Sequence, residues 1–153
     1  MEKETMSALR ALVIDDSNVM RNMVMNALRK ARLAEFEFVE AVDGADALAK
    51  FSPAAIDICF VDWNMPNMTG VEFIRKARAR GDAFHVPMVM VTSEQTVTKI
   101  EEALAQAGAD AYICKPFTHE DMRMKLERVI NKVLTAKTAS TSPKEGFFSR
   151  LFG

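Results

Sequence analysis

Five short apolar runs alternate with five amphipathic helical stretches along this chain of 153 residues, and few folds admit that rhythm. The runs are Leu9–Ile14, Phe36–Ala41, Ile56–Val61, Val86–Val91 and Ala111–Cys114. Most are near-continuous hydrophobic stretches, the pattern of strands covered on both faces. The helical stretches run from Ser17 to Ala31, Asp43 to Phe51, Gly70 to Arg80, Gln95 to Gln106 and Thr118 to Leu134. Ser17 is placed to cap the first by accepting from an unpaired backbone amide. Val19, Met20, Met23, Val24, Ala27 and Leu28 would form that helix's apolar face, and Met122, Leu126, Val129, Ile130, Val133 and Leu134 that of the last. Gly108 stands just past the fourth, as a terminating glycine does. Strand–helix pairs of this length predict an α/β domain: a doubly wound, five-stranded parallel sheet with helices on both faces and right-handed crossovers.

A chain of this size buries roughly 70% of its unfolded surface, enough for one domain with a real core. We place that domain at residues 8–134. Residues 135–153 read as a flexible linker, small, polar and Pro-containing, that ends in a Phe-rich tail. Phe147, Phe148, Leu151 and Phe152 would share one face of a short helix. Such a tail either frays or folds back on its own domain, or it docks on a partner or a membrane surface. The formal net charge of −1 gives no bulk attraction to nucleic acid. No segment approaches the roughly 20 apolar residues of a membrane span, and the polar N-terminus has no secretory character. Cys59 and Cys114 lie inside apolar runs and read as buried free thiols of a cytoplasmic protein, with no metal-ligand spacing.

The strand ends carry the chemistry. Asp15 and Asp16 close the first run, Asp62 the third, Thr92 the fourth and Lys115 the fifth. In open α/β sheets the ligand site lies just outside the carboxyl ends of the strands. One such residue would read as a strand or helix cap; five of them closing four strands of one sheet read as a site. Clustered carboxylates repel unless a cation offsets them. A hard ion, Mg²⁺, bound by Asp15 and Asp16, would do so and would also neutralise an incoming phosphate. Asp62, alone at the end of its run, is then the candidate nucleophile, since carboxylates do form aspartyl phosphates. Lys115 and Thr92 would each contact a phosphoryl oxygen.

Four segments, Val13-Ile14-Asp15-Asp16-Ser17, Val61 through Gly70, Met90 through Glu94, and Tyr112 through Phe117, resemble the signatures of bacterial response-regulator receiver domains. The resemblance covers Ala8 to Leu134. The Asp-Trp-Asn-Met-Pro-Asn-Met segment and Tyr112, three residues before Lys115, narrow it to the stand-alone chemotaxis regulators of that family. It implies a flavodoxin-like sheet of strand order 2-1-3-4-5. It also implies phosphorylation of Asp62 by a histidine kinase of the chemotaxis type. Mg²⁺ would be held by the Asp16 and Asp62 side chains and the Asn64 main-chain carbonyl, with Asp15 assisting through water. Thr92 and Tyr112 would form the switch, Asn64 and Glu94 would tune dephosphorylation, and the Lys115–Pro116 bond would be cis.

The implied partner is a monomer's target: a flagellar motor switch protein, or, for a phosphorelay intermediate or phosphate sink, a phosphotransfer protein. No nucleic-acid-binding module follows Leu134. The protein would not be an enzyme on separate substrates; a haloacid-dehalogenase-like phosphatase would carry an acid at Asn64 and a cap domain. Besides the Phe-rich tail, which is no part of it, the family pattern is left at three places. Thr69 stands where an acid is commoner. Ser17 and Asn18 replace the usual residues after the acidic pair. The stretch from Thr92 to Tyr112 is one residue longer.

Overall fold

The computed structural model describes residues 8–140 apart from Asp82, Phe84, Glu94 and Gln95. The elements run β1 (Ala8–Ile14), α1 (Asn18–Ala31), β2 (Glu35–Ala41), α2 (Gly44–Lys50), β3 (Ile58–Val61), α3 (Gly70–Arg78), β4 (Met88–Thr92), α4 (Val97–Glu101), β5 (Ala111–Cys114) and α5 (His119–Ser140). All neighbouring strands pair in parallel, in the order β2-β1-β3-β4-β5. The chain winds outward from β1 to β2, then returns past β1 to β3. The crevice of such a sheet opens where the order reverses, here between the ends of β1 and β3.

The sheet separates two apolar layers. Leu9, Ala11 and Val13 of β1 point to the side covered by α1 and α5, with Val24, Leu28, Leu126 and Ile130. Leu12 and Ile14 point to the other side, with Phe73 and Ile74 of α3 and Ala103 beyond α4. This is the period-two alternation of a strand feeding both faces of a covered sheet. Cys59 is buried and free; Cys114, also free, is only partly buried, short of the full burial expected of it.

Three expectations about helices are corrected. The buried face of α1 is Arg21, Val24, Met25, Ala27, Leu28 and Ala31, whereas Val19 and Met23 stand 67% and 46% exposed. The face is rotated toward Arg21, Val24, Met25 and Leu28, an i, i+3, i+4, i+7 set. The fourth helix is α-helical only to Glu101, and Glu102–Gln106 winds as a π-helix. Its Ala107 amide donates to Glu102 O at 2.9 Å, an i→i+5 closure. Such winding takes up about one more residue per turn than an α-helix does.

The fifth helix does not stop at Leu134 but continues to Ser140, through residues read as linker. Nothing in Thr135–Ser140 breaks a helix, since the first proline beyond is Pro143. Lys137 also fastens the extension to the sheet, donating to Ala8 O at 3.0 Å and to Asp57 Oδ2 at 2.8 Å. The Phe147–Phe152 tail lies outside the described residues.

Candidate functional site

Three of the site residues extend the sheet one step past a strand end. The Asp15 amide donates to Ala41 O, Asp62 to Ile14 O and Lys115 to Thr92 O, at 3.0–3.1 Å. These backbone bonds aim Asp15, Asp62 and Lys115 into one crevice. Their side chains meet there: Lys115 Nζ lies 3.2 Å from Asp15 Oδ2 and 3.3 Å from Asp62 Oδ1. Asp15, Asp16 and Asp62 each offer a carboxylate oxygen within 4.8 Å of the others, with Asp16 on the solvent side.

Burial and like charge compete with the lysine here. Loss of solvation, with the neighbouring Asp15 charge, raises the Asp62 pKa above the ordinary carboxylate value. The Lys115 ammonium and a hydrogen bond from Thr92 pull it only part of the way back. One ammonium offsets one of three carboxylate charges. The remaining excess, presented on hard oxygen donors, fits a divalent cation of the Mg²⁺ or Ca²⁺ kind, and these three acids could hold one.

The loop after β3 is shaped to keep Asp62 in place. Trp63 and Met65 are buried, while Asn64 is exposed two residues after Asp62. Thr69 caps α3 reciprocally with Glu72: Glu72 N donates to Thr69 Oγ1 at 3.1 Å, and Thr69 N to Glu72 Oε1 at 2.9 Å. The threonine that departs from the family pattern thus does a helix-starting job of its own. The Lys99 ammonium stands 4.8 Å over the Trp63 ring, joining α4 to the loop after β3.

The structure therefore brings together Asp15, Asp16, Asp62, Thr92 and Lys115. Tyr112 is buried on the α4 side of β5, and the Lys115–Pro116 bond is cis. Glu94 lies outside the described residues. The sequence reading passed over Arg21, which is buried beside Asp15 and donates to its carbonyl at 2.8 Å. Its spacing from Val24, Met25 and Leu28 is a legible signal, because a charge on an apolar helix face asks for a partner.

A family model for the response regulator receiver domain matches residues 11–127. The chain belongs to that family. Among its relatives, the chemotaxis protein CheY of Pseudomonas aeruginosa is 38% identical over 125 residues, spanning 82% of this chain and 98% of that protein. CheY-3 of Vibrio cholerae is 36% identical, over 82% of this chain and 94% of that one. The solved structure of the Vibrio cholerae chemotaxis protein CheY4 superposes with a TM-score of 0.70 at 36% identity, covering 80% of this chain and 99% of that one. A receiver domain from a Pseudomonas aeruginosa sensor histidine kinase, 22% identical with a TM-score of 0.67, shares the fold over 84% of this chain and 99% of its own. That domain was solved with a magnesium ion coordinated in its active site cleft. This receiver is thus closely related to CheY chemotaxis regulators, and its acidic cluster lies at the switch point of the sheet.

Proposed function

We propose that this receiver is a stand-alone response regulator of chemotaxis signalling, phosphorylated on Asp62 by a histidine kinase with Mg²⁺ in the acidic cluster. The observation that carries this reading is the setting of Asp62, a buried carboxylate at the β1/β3 crevice with Lys115, Asp15 and Asp16 converging on it. The Asp16 and Asp62 side chains and the Asn64 main-chain carbonyl would hold the ion, with Asp15 assisting through water. When bound, Mg²⁺ supplies charge neutralisation for the phosphoryl oxygens.

The remaining work falls to the chain's own groups. An Asp62 carboxylate oxygen attacks phosphorus, and the phosphorus–nitrogen bond of the donor phosphohistidine breaks as the new phosphorus–oxygen bond forms. The imidazole leaves with that electron pair. Lys115, already facing the carboxylate, hydrogen-bonds a phosphoryl oxygen, and the Thr92 hydroxyl turns to another. Water later attacks phosphorus, the phosphorus–oxygen bond to Asp62 breaks, and inorganic phosphate leaves the regenerated carboxylate, at a rate tuned by Asn64 and Glu94, so the phosphate is short-lived. These are self-catalysed steps of a switch rather than turnover of separate substrates.

The inward turn of Thr92 couples the site to Tyr112 and to the surface formed by α4, β5 and α5. Couplings of about 1–3 kcal/mol change partner affinity roughly 5- to 150-fold. The target is a flagellar motor switch protein, met by a cytoplasmic monomer. The test is labelling with a chemotaxis-type kinase or a small acyl-phosphate donor. Asp62→Asn should lose all acid-labile phosphate, and persistent label on that variant would refute the assignment. Pull-down with beryllofluoride should then retain a motor switch protein; retention of a phosphotransfer protein instead would make the chain a relay or sink.

A further inference from the structure

We infer that Arg21 is a positioning residue of the acidic site, holding the turn between β1 and α1 so that Asp15 and Asp16 face Asp62. This rests on the metal-assisted reading above. Arg21 is 9% exposed and lies one turn into α1. A cation is disfavoured at a helix N-terminus, where the backbone dipole is positive, and α1 has no acidic residue in its first turn. Helix stability therefore does not explain why an arginine is buried there.

Its hydrogen bonds do. Nη1 donates to Asp15 O at 2.8 Å, Nε to Glu40 Oε1 at 2.7 Å and Nη2 to Asn18 Oδ1 at 3.1 Å. Three acceptors from β1's end, β2's end and α1 hold one planar fork. The bond to Asp15 O completes the immobilisation of that residue. Its amide is held by Ala41 O, its Oδ1 by the Ser17 amide at 2.9 Å, and its Oδ2 by Lys115. A peptide unit is planar, so fixing the Asp15 carbonyl also fixes the plane from which Asp16 departs. Arg21 thereby sets the direction of both acids without touching the ion they would bind. Glu40 in turn keeps the guanidinium aimed. Lysine matches the charge but cannot reproduce the fork.

Charge and positioning predict opposite signs. As a nearby cation, Arg21 repels a metal ion, so removing its charge should tighten Mg²⁺ binding. As a positioning group acting behind the ligands, its loss should weaken binding about 10- to 100-fold. The experiment titrates MgCl₂ into the full chain, wild type, Arg21→Gln and Arg21→Lys. Binding is followed by calorimetry and by fluorescence of Trp63, the single tryptophan, next to Asp62 and 5% exposed. We expect both variants to weaken Mg²⁺ binding at least about tenfold while keeping wild-type circular dichroism. Unchanged or tighter binding in Arg21→Lys overturns the proposal. Failure of both variants to fold would assign Arg21 to the fold and overturn it too. If wild type itself shows no saturable Mg²⁺ response, the metal-assisted reading fails and the proposal falls with it, an outcome distinct from the others.

Discussion

Asp62 is the residue at which stability and function pull against each other. Its carboxyl group titrates above the ordinary value in the folded chain, chiefly because it is buried and then because Asp15 is near. A group with a raised folded pKa stabilises the fold fully below its unfolded value, and that stabilisation is lost as pH rises through the folded one. At neutral pH, then, ionised Asp62 works against folding. Asp62→Asn should raise the thermal midpoint at pH 7 by roughly 2–4 °C, a gain on the order of 1 kcal/mol at this chain length. The gap should close as pH falls toward the ordinary aspartate range, and melting curves of both proteins from pH 7 to pH 4 would show it. The acids, Thr92 and Lys115 were legible as a set, because five polar residues closing four apolar strands exceed what strand or helix caps explain. Arg21 left half a signal: its spacing marks a charge on an apolar helix face, but its acceptors at Asp15 and Glu40 are brought to it only by the folded chain.

The loop after β3 and α3 are coupled through a glycine. A Cβ on Gly70 would lie 2.2 Å from the Asp62 carbonyl oxygen, a backbone atom that cannot rotate away. The Gly70 amide also donates to Trp63 O at 2.9 Å, so α3 begins in direct contact with the loop that follows β3. Gly70→Ala must move one or the other. We expect a loss of about 1–3 kcal/mol by chemical denaturation, as for other overpacked sites. Phosphorylation should slow up to about a hundredfold, the scale on which misplacing a reacting group by an ångström acts. A variant with parental stability and labelling rate would show that the contact yields freely. Helix periodicity made α3 readable but not this contact, since nothing local reports a close approach between Gly70 and Asp62. The ends of α4 and α5 were misjudged for related reasons. The π-winding at Glu102–Gln106 has no marker in the local sequence, and the extension to Ser140, which the local sequence permits, is fastened by the Lys137 anchor.

At the scale of the molecule, the site should couple to global stability by mass action. A ligand that binds only the folded state adds about 2.7 kcal/mol at a hundred times its dissociation constant. Saturating Mg²⁺ should therefore raise the thermal midpoint of the wild type, EDTA should reverse the rise, and Asp62→Asn should blunt it. A scan in which Mg²⁺ shifts both proteins equally would place the ion elsewhere. The sheet order itself was within reach of sequence reasoning only through family resemblance; alternation alone fixes parallel pairing and covered faces but not which strand lies beside which.

The two apolar layers have one more implication. Ile100 and Ala103, in and just beyond α4, pack on one side of the sheet, while Met122, Leu126 and Ile130 of α5 pack on the other together with α1. A protein grasping both helices straddles two separately anchored halves of the receiver. Such a partner would grip the edge strand β5 from both faces, so its fit would depend on the spacing of α4 and α5 across that strand.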